Sequence, residues 1–266
     1  MNNVLDIRRF WNYFLYDLRR AKNNYGLSLL LIGLTPVIFF LIFAAWSLLW
    51  HGSVGTMDAS GKFVAVFVSL TVVLLASGAK IYGFVTEKRA GADFLMLPAS
   101  SMEKWLSCVL TVCIVLPAVL FSLLFAGDAL LALILPGSYG ARFFAGAGED
   151  FFRMLSVEGI RFNLPFALFL NWCENMLIFT LGAVCFKKSK VAKTFLCLMA
   201  VGMVFSFLMV WFFGNAFPDL TDWAESHFDD PAAMARTLNR TISIFYAVVI
   251  GGLLGGLYYR IRTIQQ

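Results

Sequence analysis

Uncharged apolar blocks dominate this 266-residue chain, and they are far longer than the periodic stripes of a soluble core. Leu27 to Trp50 runs 24 residues without a charge. As a helix that is roughly 36 Å, against about 30 Å of hydrocarbon, so it spans a bilayer with some tilt. Phe63 to Val85 is a second block, broken only by Lys80, whose ammonium reaches the headgroups from near one end. Trp105 to Leu135 is too long for one straight crossing and contains Pro117 and Asp128. It reads as one helix, kinked near Pro117, that runs past the outer interface. Leu164 to Phe186, Thr194 to Phe213 and Thr241 to Tyr259 complete the set at 23, 20 and 19 residues. The predicted fold is all-α: a polytopic membrane protein with six transmembrane helices and an N-terminal amphipathic interfacial helix. The interfacial helix occupies 1–26, the membrane domain 27–259 (spans about 27–50, 63–85, 105–135, 164–186, 194–213 and 241–259) and a tail 260–266.

Charge gives the spans a direction, because short cytoplasmic loops carry an excess of Lys and Arg. Arg8, Arg9, Arg19, Arg20 and Lys22 precede span one; Lys88, Arg89 and Lys104 follow span two. Lys187, Lys188, Lys190 and Lys193 follow span four, and Arg260 and Arg262 follow span six, giving fourteen on one side. The opposite segments hold six, Lys62, Arg142, Arg153, Arg161, Arg236 and Arg240, outnumbered by neighbouring acids such as Asp219, Asp222, Glu225, Asp229 and Asp230. Both termini are therefore expected in the cytoplasm of a bacterial cell, with the chain in its inner membrane. Composition agrees: 60% apolar residues, 14% charged residues and a mean hydropathy of +0.79 suit a bilayer. The net charge of +5 follows from topology, and basic residues dispersed over four inner segments argue against a nucleic-acid partner. The first block is too long for a cleaved signal peptide and lacks an early small-residue cleavage site, so span one is expected to stay attached.

Before span one, Ile7, Phe10, Trp11, Phe14, Leu15 and Leu18 gather on one helical face, with Arg9, Asn12, Arg19 and Arg20 on the other. This predicts an in-plane helix, with Trp11 and Phe14 toward the acyl boundary and Arg8, Arg9, Arg19 and Arg20 toward anionic headgroups or a cytoplasmic partner. Membrane anchoring and partner contact are both open at this point. Outside, Phe143, Phe144, Phe151 and Phe152 near Glu149 and Asp150 predict a short amphipathic element on the outer leaflet. Pro231 and the Ala-Ala-Met-Ala after it predict a short helix starting there.

Few residues could carry catalysis. The only histidines, His51 and His227, fall in outer segments without a His-Glu-x-x-His or paired acidic motif. Five cysteines, Cys108, Cys113, Cys173, Cys185 and Cys197, lie in or at the ends of spans without metal-ligand spacing, and read as small packing residues. Gly55 to Phe63 is the nearest approach to a nucleotide-binding loop. It has one residue too many between its glycines, Phe63 where Ser or Thr should hold magnesium, and an outer location. No catalytic residue, metal site or cofactor is expected in the chain itself, and it is not expected to be an enzyme.

Inside the membrane the polar residues are Asp128 and the trio Asn171, Glu174 and Asn175, the trio sharing one helical face by its i, i+3, i+4 spacing. A carboxylate at depth is costly, so the trio either lines a substrate or proton path or locks helix packing. Gly251, Gly252, Gly255 and Gly256 form two overlapping Gly-x-x-x-Gly registers in span six, a signal for close helix packing within the chain or between chains.

The loop after span two reads Glu87-Lys88-Arg89-Ala-Gly91-Ala-Asp93-Phe94-Leu95-Met96-Leu97-Pro98-Ala99-Ser100-Ser101-Met102-Glu103-Lys104-Trp105. It resembles the loop between spans two and three of ABC-2 type transporter permeases, where a charged turn, a short Leu-rich helix and a Pro-Ala-Ser element occur together. The likeness is closest to compact permease-like proteins of Bacteroidetes. Leu181 to Thr194, with Lys187, Lys188, Lys190 and Lys193, is similar to that group's boundary between spans four and five. Physical reading agrees with a stiff element there: Phe94 to Leu97 form an apolar helical face, Pro98 ends it, and Ser100 with Glu103 has capping-box spacing.

The resemblance implies a permease subunit that exports an amphipathic, peptide or lipid-like substrate, driven by ATP bound in a separate nucleotide-binding ATPase subunit. It implies pairing with a second permease chain as a homodimer or heterodimer, in contact with membrane lipid. The coupling contact would comprise Glu87, Lys88, Arg89, Phe94, Leu95, Met96, Leu97, Pro98, Glu103 and Lys104, next to the interfacial helix. The alternative is a membrane scaffold or immunity-type protein that keeps the permease fold without transporting.

Overall fold

The structure is a computed structural model that describes residues 5–87, 90–144, 164–216 and 231–265. Every element among them is helical: α1 (Ile7–Gly33), α2 (Thr35–His51), α3 (Ala59–Tyr82), α4 (Ala90–Met96), α5 (Ser101–Ile134), α6 (Pro136–Tyr139), α7 (Leu164–Cys185), α8 (Lys190–Ala216) and α9 (Pro231–Gln265). Five are long and apolar enough to cross a membrane, or six if the bent pair α1–α2 is taken as one span. The chain is thus a membrane protein.

Several helices depart from their expected bounds. The helix expected to stop at 26 continues to Gly33 without a break, so the segment assigned to the interface and the start of span one are one element. The break comes at Leu34, where α1 and α2 meet at 41°. Pro36 explains it: having no N–H, it cannot serve the Ile32 carbonyl, which instead accepts the Thr35 hydroxyl at 2.5 Å. In α5 the irregularity expected near Pro117 is a π turn over Thr111–Val115, just before the proline. The helix expected to be short at Pro231 runs unbroken to Gln265. Lys88 and Arg89, the outer element around Phe151 and Phe152, and the acids from Asp219 to Asp230 lie outside the described residues.

The core gathers α1, α3, α5, α7 and α9 around Val73, Val112, Leu120, Leu124, Met176 and Leu257. At the seam between α3 and α7 helix backbone meets helix backbone. A Cβ on Gly78 would stand 2.9 Å from the backbone carbonyl carbon and oxygen of Phe179 and from the Thr180 nitrogen, so only glycine permits this approach. Helix α8 lies outside that core, with Val201, Phe207 and Val210 among its exposed apolar side chains. Such a surface is stable against lipid and unfavourable against water.

The end of the bundle remote from the termini is closed by Asp128. Its buried carboxylate accepts the Tyr139 hydroxyl at 2.6 Å and the Phe143 and Phe144 amides at 3.0 and 3.3 Å. Burial, and then this bond to Asp128, raise the Tyr139 phenol above its ordinary pKa. Lys62 donates to the Ala141 carbonyl at 2.9 Å and lies 4.1 Å over the Tyr139 ring. These contacts give Asp128 a structural part, holding the end of α5 to α6 and the segment after it.

Candidate functional site

The end that carries the termini is where the charged turn, the N-terminal helix and three helix ends meet. After α3 the chain tightens into a 3-10 turn, Gly83–Thr86, then α4, and re-enters the bundle through Ser100. Ser100 and Glu103 form the capping box: the Ser100 hydroxyl accepts the Glu103 amide at 3.3 Å, and the Glu103 carboxylate accepts the Ser100 amide at 2.8 Å.

Glu103 does more than cap α5. Its side chain is 0% exposed, and it also accepts the Asp6 amide at 3.0 Å and the Arg9 guanidinium from Nε and from a terminal nitrogen, each at 2.8 Å at closest. Asp6 meanwhile caps α1, accepting the amides of Arg8 and Arg9 at 2.9 and 3.3 Å. One carboxylate thus joins the start of α1 to the start of α5 through charge-assisted bonds.

The loop is clamped at other points. Lys104, 2% exposed, donates to the Phe94 carbonyl at 2.6 Å and lies 4.7 Å from its ring centroid. The Arg20 guanidinium stacks 3.4 Å over Phe84, which meets Phe94 edge-on at 6.1 Å. Lys190 donates to the Gly83 carbonyl and stands 3.7 Å from the Glu87 carboxylate, tying α8 to the turn. Trp105 donates to the Leu254 carbonyl at 3.0 Å, and Arg260 to that of Val184 at 3.4 Å, attaching α9.

One turn deeper lies a polar centre that sequence reasoning missed. Asp17, buried, accepts the Tyr82 hydroxyl at 2.8 Å and the Ser107 hydroxyl at 2.6 Å, so α1, α3 and α5 share one carboxylate. The signal was present: Arg9, Tyr13, Asp17 and Arg20 recur at helical spacing.

These contacts revise the expected coupling set. Glu103, Lys104 and Phe94 are buried and support the loop from within, so they offer no surface to a partner. The expected Phe94 to Leu97 face splits, Phe94 turning inward while Leu95 and Met96 turn outward, Met96 at 84% exposure. Leu97 and Pro98, with Ala99, border a groove of about 460 Å³ whose other wall is α1 from Asp6 to Tyr16, including Arg8, Arg9 and Asn12. The basic face expected on α1 also divides: Arg9 and Arg20 point into the protein, while Arg8 and Arg19 stay exposed. Trp11 is exposed, and Phe14 is half-buried beside it with ring centroids 5.9 Å apart.

The intramembrane trio separates as well. Asn175 donates to the Asn171 carbonyl at 2.8 Å, and Asn171 to the Tyr246 hydroxyl at 3.1 Å. Glu174 instead faces a cavity between α7, α8 and α9. The four glycines of α9 make no close approach within the chain: a Cβ on Gly251, Gly252 or Gly255 would meet nothing within 4 Å among the described residues, and one on Gly256 would make ordinary contact with Leu181 at 3.7 Å.

No family model, no curated protein and no solved structure matches the chain.

Proposed function

We propose that the chain is the membrane subunit of an ABC-2-type transporter, driven by a separate ATPase that docks at the terminal end of the bundle. Both termini then face the cytoplasm of a bacterial inner membrane, and ATP is held by the partner. The observation that carries the reading is the buried Glu103 carboxylate, bonded at once to the starts of α1 and α5. A push on the loop therefore moves both helices instead of bending a flexible connection.

The docking surface is exposed Leu95, Met96 and Pro98, the adjoining groove with Arg8 on its rim, and the accessible Glu87 carboxylate. An apolar ridge beside a mixed-charge groove suits a partner helix with apolar anchors and a polar flank. A second permease chain would lie against the open glycines of α9, whose backbone another helix can approach closely.

Co-expression of the tagged chain with the reading frames adjoining its own, searched for an ATPase, tests this reading. The expected result is stoichiometric copurification and ATP hydrolysis that depends on the membrane chain. Met96→Glu should break the complex, whereas Trp11→Glu, on an exposed face away from the groove, should leave it intact. Failure to copurify, or a complex indifferent to Met96→Glu, overturns the docking assignment. A stable complex that the chain does not stimulate would favour the scaffold alternative.

A further inference from the structure

Glu174 lies eleven residues before the end of α7 at Cys185, which is about 16 Å along the helix and so near the middle of a hydrocarbon layer of about 30 Å. No hydrogen bond or ion pair among the described residues involves its side chain, because the neighbouring amides of Asn171 and Asn175 are committed to each other and to Tyr246. Glu174 borders a cavity of about 570 Å³ whose walls are otherwise apolar apart from Thr194, among them Ile178, Leu181, Phe205, Phe245 and Leu253. That is the size and character of a site for a small organic ligand. Val201 and Phe205 line it and are also exposed on the outside of α8, so the cavity opens sideways toward lipid.

We infer that this cavity binds an amphiphilic organic cation, its positive centre against Glu174 and its apolar body against the aromatic and aliphatic walls. An intramembrane carboxylate without a partner is expensive unless a cavity or a counter-charge accommodates it. Among the described residues that line this space, Glu174 is the only carboxylate and none is Lys, Arg or His. The rings of Phe205 and Phe245 add faces that attract cations. A second copy of the chain is a poorer occupant: Gly251 and Gly255, the register open to a partner, lie across α9 from Val249 and Leu253, so a copy seated on that register leaves the cavity uncovered.

The inference concerns binding by the chain alone and stands or falls separately from coupling to an ATPase. The full chain in nanodiscs of zwitterionic lipid is titrated with tetraphenylphosphonium and with tetraphenylborate, which share a shape and differ in charge. Saturable binding of the cation is expected, at least tenfold tighter than that of the anion, and weakened tenfold or more by Glu174→Gln. Cys185 and Cys197 line the same cavity and are exposed, while Cys108, Cys113 and Cys173 are buried. In the unaltered protein the cation should therefore slow labelling of the two exposed thiols by a membrane-permeant maleimide, which keeps the test valid if the variant fails to fold. Equal affinity for the two ions, unchanged affinity in Glu174→Gln, or no protection of the thiols would each overturn the assignment.

Discussion

Replacing glycine by alanine should have opposite effects at two positions of this bundle. At Gly78 the new Cβ stands 2.9 Å from three backbone atoms of α7. Carbon contacts are favourable at about 3.5–4.0 Å, so α3 and α7 must separate by more than half an ångström along their principal seam. Backbone cannot rotate aside as a side chain can, and overpacking of this kind costs about 1–3 kcal/mol. Against it stands a gain of about 1 kcal/mol from helix propensity. The balance is destabilising by up to about 2 kcal/mol, with Gly78→Val worse because branching adds volume at the same contact. At Gly252 a Cβ meets nothing within 4 Å, so only the propensity gain remains and the variant should be as stable as the parent or slightly more so. Thermal unfolding of both variants as detergent-solubilised monomers supplies the comparison. A Gly78→Ala variant that melts at or above the parent would refute the close approach, and a clear loss in monomeric Gly252→Ala would mean that α9 packs through its glycines inside one chain.

The shared carboxylate in the core and the glycine face of α9 give two further expectations. Tyr82→Phe and Ser107→Ala should each destabilise by about 1–3 kcal/mol, because each leaves a buried acceptor short of a donor, and their effects should not add, since both bond to Asp17; additive losses in a double-mutant cycle would dissolve the idea of one network. With Cys185 and Cys197 replaced by serine, Gly251→Cys or Gly255→Cys should form a disulfide between two copies in native membranes, and absence of crosslinks at both positions would reject pairing of identical chains through this face.

Features set by neighbours in sequence were legible in the chain. The apolar blocks located the spans because hydropathy is a local sum, and Ser100 with Glu103 announced a cap because a capping box needs only residues three apart. What escaped depends on which way a helix faces. On α1 the apolar and polar faces were visible, but not that part of the polar face would turn into the protein, as polar groups of a bundle do to find partners. Ile7 and Trp11 accordingly lie exposed while Tyr13 and Asp17 are buried and Arg9 reaches Glu103. Likewise the Gly-x-x-x-Gly spacing of α9 signalled a backbone open to approach without naming what approaches. The close approaches that do need glycine are elsewhere, at Gly78 against the α7 backbone, Gly182 against Thr194 and Gly33 against Leu123, and at Gly78 the signal was only the small residues Ala76, Ser77 and Ala79 around it.

The distribution of polar contacts divides the molecule mechanically. Helices α1, α3 and α5 share Asp17, α1 and α5 share Glu103, and α3 meets α7 backbone to backbone at Gly78, so these four move most cheaply as one body. Helix α8 is bound to the turn after α3 by Lys190 and sets buried Thr194 against Gly182 of α7, while most of its apolar side chains are exposed; α9 is held near its end by Trp105 and Arg260 and farther along by the Asn171–Tyr246 bond. Displacement between the stiff body and the two outer helices breaks few polar contacts, and the space it would widen or close is the cavity beside Glu174. In the proposed cycle, force delivered at Met96 would pass through Glu103 into the stiff body and appear as a change in that cavity. Ligand binding and force transmission then rest on different carboxylates, Glu174 and Glu103, and each can be removed while the other is measured.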